Sequence, residues 1–129
     1  MAKRDLIDGM DSFTRAYVEC ALWSSTDESD ESGGDPIDQN YSIEDLTVAA
    51  LRTMIADCAA FQRDNEEDLY QCGLSDERAG HDFWLTRNRH GSGFWDECFG
   101  DKRMDRLTAA SHAYGEAYLS VYRGRVYHD

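Results

Sequence analysis

The sequence predicts one α+β domain, in which a small antiparallel sheet of two β-hairpins is packed by about three helices in the order ααββαββ. Three observations predict this fold class. The first half of the chain carries two apolar stripes with helical spacing, a central stretch has aromatic residues on both sides of a glycine-rich turn, and the C-terminal stretch alternates around an Arg-Gly pair. With 129 residues, 41% of them hydrophobic, the chain is long enough to bury one core.

The first predicted helix runs from about Asp11 to Ser24. Asp11 or Ser12 is a suitable N-cap, because its side-chain oxygen can accept a hydrogen bond from an amide of the first turn. A stripe of this kind is typical of a helix that packs one face against a core. Its members recur every three or four positions and are Phe13, Ala16, Tyr17, Cys20 and Trp23.

An acidic stretch follows the first helix. Between Asp27 and Asp45 there are eight carboxylates and no Lys or Arg, and the only proline of the chain, Pro36, lies among them. Self-repulsion and low apolarity predict that residues 25–41 form a mobile loop within the single domain 1–129.

A second helix begins after Ser42, because the pattern Ser-Ile-Glu-Asp resembles a capping box. A broad apolar stripe from Leu46 to Phe61 predicts that one face of this helix is buried. We expect the helix to continue to Tyr70 and to stop at Gly73.

The central stretch predicts the first β-hairpin. Residues 83–86 and 93–96 are aromatic and favour β-structure, and residues 88–93 between them have the composition of a turn.

The C-terminal quarter predicts one helix and one more hairpin. The helix is expected from about Lys102 to Gly115. Residues 118–122 and 125–128 alternate on either side of Arg123-Gly124, which favours a two-residue hairpin turn.

The charge distribution limits the classes of partner. The formal net charge is −13, and the first 76 residues hold 18 acidic and 5 basic side chains, whereas the rest of the chain holds eight of each. Such a field repels nucleic acid and attracts basic surfaces, so direct binding of DNA or RNA is disfavoured. No apolar run approaches the length of a membrane span, and the first residues lack the apolar segment of a signal peptide.

We therefore predict a protein partner, which the acidic surface and the turn after residue 86 would contact. Carboxylates on helices matter most, because a mimic of a phosphate backbone needs fixed spacing. No cofactor is predicted. The predicted partner-binding residues are Asp27, Glu28, Asp30, Glu31, Asp57, Asp64, Glu66, Glu67, Asp68, Arg87, Asn88, Arg89 and His90.

An enzymatic alternative uses the same hairpin of residues 80–96. His81, Asp82 and His90 could converge on a metal ion or act as acid and base, but their spacing matches no standard metal-ligand motif. Ser92 would add a nucleophile, although it lacks the Gly-x-Ser-x-Gly elbow. We predict no catalytic residues and no bound metal. A small hydrolase and an oligomeric accessory protein are the alternatives to the interaction protein.

The run from Ala79 to Asp96, Ala-Gly-His-Asp-Phe-Trp-Leu-Thr-Arg-Asn-Arg-His-Gly-Ser-Gly-Phe-Trp-Asp, resembles the central motif of a family of small acidic proteins encoded by tailed bacteriophages and prophages. The resemblance covers nearly the whole chain. The other similar stretches are residues 17–23, 56–62, 105–108 and 113–116. The chain departs from the family pattern at Arg89, where glycine is expected, and this departure favours a longer loop over an Asn-Gly type I′ turn.

The resembled family has no assigned activity, so the resemblance implies a context rather than a mechanism. It implies a phage accessory protein that acts in the cytoplasm of the infected bacterial host. In that context many small, acidic, single-domain proteins disable host defence. The resemblance therefore favours an inhibitor of a host defence complex, of the anti-CRISPR or anti-restriction type, that blocks a basic nucleic-acid-binding surface.

Overall fold

A computed structural model of the chain describes residues 2–28, 34–96 and 101–128. Within these residues the fold is mostly helical, with six α-helices and two separate antiparallel sheets of two strands each. The helices are α1 (Lys3–Asp8), α2 (Ser12–Ser24), α3 (Val48–Asp64), α4 (Glu66–Cys72), α5 (Asp76–Arg87) and α6 (Lys102–Ala113). The strands are β1 (Thr26–Asp27), β2 (Asp35–Pro36), β3 (Leu119–Tyr122) and β4 (Arg125–His128). The α+β class is confirmed, but the predicted order ααββαββ is wrong.

The first predicted helix is confirmed as α2. Asp11 is its N-cap, and the Asp11 carboxylate accepts a hydrogen bond from the Thr14 amide at 2.8 Å. A short helix that the sequence did not predict, α1, precedes it.

The described part of the acidic stretch contains local structure. Strand β1 pairs with β2, with Thr26 opposite Pro36 and Asp27 opposite Asp35. A 3₁₀ turn at Ile37–Gln39 follows, and the Ile37 side chain is buried in the core. Asp30 and Glu31 lie outside the described residues.

The second predicted helix is divided into α3 and α4. The capping box at Ser42 and Asp45 is present, but it starts a 3₁₀ turn, and Thr47 caps α3. The helix breaks at Asn65, whose side-chain amide donates to the Phe61 carbonyl at 2.9 Å. Helix α4 then ends at Gly73, which has a left-handed backbone (φ +69°), as the sequence predicts.

The first predicted hairpin is wrong, because residues 76–87 form helix α5 and residues 94–96 a 3₁₀ turn. Eight of the twelve residues of α5 are buried. A helix buried on most sides shows no apolar stripe with a period of 3.6, so its aromatic run looks like a strand. Ser75, whose hydroxyl accepts from the Arg78 amide at 3.1 Å, is the helix signal that this interpretation missed.

Helices α2 and α5 form the centre of the molecule. A Cβ atom added to Gly80 would lie 2.0 Å from the Phe13 carbonyl oxygen, so glycine at this position allows the two backbones to approach closely. Phe83 of α5 stacks on Phe61 of α3, with ring centroids 4.0 Å apart. The ring centroid of Phe83 also lies 5.1 Å from that of Tyr17. The aromatic run therefore anchors the core from a helix.

The second predicted hairpin is confirmed. Strands β3 and β4 pair with Leu119 opposite His128 and Val121 opposite Val126. The Arg123-Gly124 turn has positive φ at both residues, +51° and +75°, as a type I′ turn requires. The Thr47 amide donates to the Val126 carbonyl at 3.0 Å, which joins the hairpin to the start of α3. Separately, no helix in the described ranges is long and apolar enough to cross a membrane.

Candidate functional site

Two of the predicted partner-binding carboxylates are occupied within the molecule. The Asp57 carboxylate accepts a hydrogen bond from Arg87 at 3.0 Å. Asp68 of α4 receives two hydrogen bonds from Arg106 of α6, at 2.6 and 2.9 Å, and this pairing holds the pKa of Asp68 below its usual value. These carboxylates stabilise helix contacts, so neither is available as a free charge for a partner.

Three predicted carboxylates stay exposed around the break between α3 and α4, and we call Asp64, Glu66 and Glu67 the junction carboxylates. Asp64 pairs with Arg63, which is also exposed, at 3.2 Å, and Glu67 accepts a hydrogen bond from Gln71 at 3.1 Å. Solvent-exposed contacts of this kind are weak, so the three charges are open to a partner.

The predicted loop and turn residues meet at a small cavity. Its volume is about 320 Å³, and Glu28, Asn88, His90 and Tyr118 are among the residues that line it. Glu28 and His90 are exposed, whereas Asp27 is half-buried in β1. The structure thus brings together one acidic and two turn residues that the sequence selected.

Arg87 was predicted to face a partner, but it is 4% exposed. The three guanidinium nitrogens of Arg87 (Nε, Nη1 and Nη2) donate hydrogen bonds to four different groups, at distances of 2.9 to 3.1 Å. The acceptors are the Tyr17 hydroxyl, the Asp57 carboxylate, and the carbonyls of Tyr114 and Gly115. Burial raises the pKa of the Tyr17 hydroxyl, so Tyr17 is a neutral acceptor. Because its donors are engaged inside the fold, Arg87 joins α5 to α2, α3 and the end of α6.

Asn88 also has a structural role, since its side chain donates to the Trp84 carbonyl and accepts from the Ala117 amide. Arg89 and His90 are exposed at the end of α5. Their amides donate to the carbonyls of Thr86 and Leu85 at 3.1 and 3.0 Å, which is a Schellman motif. Arg89 has φ +57°, a conformation that favours glycine.

An open groove of about 940 Å³, which we call the α2–α5 groove, is lined mainly by residues of these two helices. Apolar atoms line much of it. Its lining residues from α2 include Glu19, Cys20 and Trp23, and those from α5 include Glu77, Arg78 and His81, with Asp38, Tyr41 and Ile43 across from them. Burial raises the pKa of the Cys20 thiol to about 12, so this cysteine is an apolar lining residue and not a nucleophile.

The groove contains an exposed tryptophan. Trp23 is 58% exposed, and its ring lies 6.0 Å from that of His81. Next to them, Arg78 Nε lies 3.9 Å from the buried carboxylate of Asp82. The sequence placed Trp23 on the apolar stripe of the first helix. Its position in the last turn of α2, just before Ser24-Ser25, is the signal that it lies at the edge of that stripe.

The enzymatic candidates partly converge. A cavity of about 400 Å³ is lined by His81, Asp82, His90 and Ser92, together with Trp23 and Arg78. However, the described residues include no group of three or more His, Cys, Asp or Glu side chains placed to hold a metal ion. Among the hydrogen bonds described in the structure, none links Ser92 to His90 as a nucleophile and its base would be linked.

No protein-family model matches this chain, and no curated protein or solved structure matches it either.

Proposed function

We propose that this chain is a phage-encoded acidic interaction protein that inhibits a host defence complex, of the anti-CRISPR or anti-restriction type, by covering a basic nucleic-acid-binding surface in the cytoplasm of the infected bacterium. The observation that carries the proposal is the set of junction carboxylates. Asp64, Glu66 and Glu67 are exposed at the end of α3 and the start of α4, and an ion pair attaches α4 to a third helix.

That contact is the pair between Asp68 and Arg106. Its two hydrogen bonds of 2.6 and 2.9 Å tie α4 to α6, so the carboxylates at the start of α4 have a fixed position. Fixed spacing allows carboxylates to compete with phosphates for a basic groove, whereas charges on a free loop would have to be ordered first. Asp68 therefore acts in this proposal as a positioning residue.

The net charge of −13 supports the same conclusion. A strongly negative surface accelerates encounter with a basic partner and repels nucleic acid. The exposed Arg89 and His90 follow the end of α5 and would supply further local contacts to the partner.

The experiment is affinity capture from host lysate with wild type and with the junction variant D64N/E66Q/E67Q. We expect wild type to capture a nucleic-acid-binding protein that is released by high salt and by a competing DNA duplex. The junction variant should capture at least about tenfold less of it, because three close charge pairs are lost. Asp57 is left unchanged, since its neutralisation would disturb the buried Arg87.

The control variant is D5N/D35N/E116Q, which removes three exposed carboxylates from other parts of the surface. It has the same net charge as the junction variant. Equal loss of capture with both variants, or a captured protein that DNA does not displace, would contradict the proposal.

A further inference from the structure

The exposed side chain of Trp23 indicates a second binding surface. It is exposed, whereas Trp84 of α5 is buried and its indole nitrogen donates to the Ser24 hydroxyl at 2.8 Å. The fold therefore satisfies one of these tryptophans and leaves the other on an open groove. Tryptophan is one of the residue types enriched among the few side chains that dominate the binding energy of protein interfaces.

The charge of the α2–α5 groove is unbalanced. Glu19, Asp38 and Glu77 are exposed at its rim, and within the described part of the chain their side chains have no hydrogen bond or ion pair. Of the two groove arginines, Arg78 faces the buried Asp82 carboxylate, whereas Arg15 donates to the uncharged Ile7 carbonyl at 2.8 Å and keeps its positive charge. The three rim carboxylates therefore outnumber the single positive charge of Arg15, and the apolar lining is surrounded by net negative charge.

We propose that the α2–α5 groove binds an extended basic peptide segment of a protein partner, with an arginine or lysine of that segment stacked on Trp23 and its neighbours paired with Glu19, Asp38 and Glu77. A guanidinium matches both features, since it is attracted to the face of an indole and to carboxylates. Carboxylates at this density disfavour phosphate groups, which excludes nucleic acid and anionic lipid as occupants.

The inference deepens the proposed function, because it identifies a second contact for the same basic partner. The two surfaces are neighbours. Gln62, which precedes the junction carboxylates on α3, donates to the Asp11 carboxylate at 3.1 Å, and Ser12 beside it lines the groove. A basic partner that covers the junction can therefore extend a segment into the groove.

The test is a fluorescence titration of the whole protein with a fluorescein-labelled peptide of alternating glycine and arginine, eight residues long, at near-physiological salt. We expect binding to weaken at least about tenfold in Trp23→Ala and in the groove variant E19Q/D38N/E77Q. The junction variant, which has the same net charge as the groove variant, should lose no more than about threefold, because it changes only screened, longer-range attraction.

A second readout locates the peptide. In a ¹H–¹⁵N spectrum, the indole signal of Trp23, assigned from Trp23→Phe, should shift on titration while that of the buried Trp84 stays in place. Equal weakening by the groove and junction variants, an unmoved Trp23 signal, or no binding would overturn the inference. Wild type with the mass of a dimer that is lost in Trp23→Ala would also overturn it, by making the groove a self-interface. Since no lysate is used, failure here is separate from failure of the capture experiment.

Discussion

Arg87 and Arg78 both extend from helix α5, but their guanidinium groups lie in opposite environments. Arg87 is buried and donates to four acceptors from three other parts of the chain. Arg78 is 60% exposed at the rim of the α2–α5 groove. A buried guanidinium has to be fully hydrogen-bonded, because an unpaired charge in the interior is very costly, whereas an exposed one can rely on water.

The contrast between these regions shows where a partner can gain free energy. Around Arg87 the guanidinium already donates to four acceptors within the fold, so a partner would have to displace these bonds. Around Trp23 an aromatic face and three carboxylates are solvated and can exchange water for protein. The buried region keeps the fold together, and the open region has capacity for binding.

The largest effect is expected for Gly80→Ala, because the close contact between α2 and α5 supports both the buried region around Arg87 and the open region around Trp23. The new Cβ would lie 2.0 Å from the Phe13 carbonyl oxygen, and backbone atoms cannot yield as a flexible side chain can. We expect the free energy of unfolding, measured in urea, to fall by at least about 3 kcal/mol. Gly91→Ala is the control, because its Cβ would meet no described atom within 4 Å, and it should change stability by less than about 0.5 kcal/mol. Similar values for both variants would contradict the close helix contact.

The next effect isolates the buried region. Arg87→Met should lower the free energy of unfolding by about 3 to 5 kcal/mol, because it leaves the Asp57 carboxylate and two carbonyls without their donor. The control is Arg63→Met, which removes an exposed pair and should cost less than about 1 kcal/mol. If Arg87→Met costs no more than Arg63→Met, Arg87 is not the centre of a satisfied network and its predicted partner contact regains support.

The elements predicted correctly from sequence are those with local signals. Asp11 caps α2, Gly73 ends α4, and Arg123-Gly124 forms the hairpin turn, and each depends on residues close together in the chain. Helix α5 was missed because it is buried on most sides and therefore lacks a periodic stripe.

The site was less predictable than the fold because its contacts are long-range. The acceptors of Arg87 come from segments 27 to 70 residues away, and no local pattern identifies them. Exposed Trp23 and buried Trp84 likewise cannot be distinguished by residue type. The position of Trp23 in the last turn of α2 places it at the edge of the apolar stripe, and the packing of α2 against α5 then leaves Trp23 exposed and buries Trp84.

A smaller effect is expected at the end of α5, next to the buried region. Arg89→Gly should raise the free energy of unfolding by about 1 kcal/mol, because arginine at φ +57° has a strained backbone and glycine does not. Arg89→Ala keeps the strain and should give no gain. Thermal unfolding of the three proteins measures the difference. A stabilised Arg89→Gly that also binds its partner less well would identify the Arg89 guanidinium as a contact that offsets its backbone strain.

The smallest effect compares the pair of Asp57 with the buried Arg87 and the pair of the half-buried Asp68 with the exposed Arg106. Hydrogen bonds from Arg106 hold the pKa of Asp68 below its usual 3.8 in the folded protein. The pair therefore contributes fully above the unfolded pKa, and its contribution is lost as pH falls through the folded pKa. At pH 7 Asp68→Asn should lower the free energy of unfolding by less than about 1 kcal/mol, and the difference from wild type should shrink as pH is lowered from about 5 toward about 3.

Glu66→Gln, on the same helix turn without an arginine partner, is the control for the loss of one charge. A difference for Asp68→Asn that does not change with pH would show that packing, and not the ion pair, ties α4 to α6, and the fixed spacing of the junction carboxylates would then need another cause.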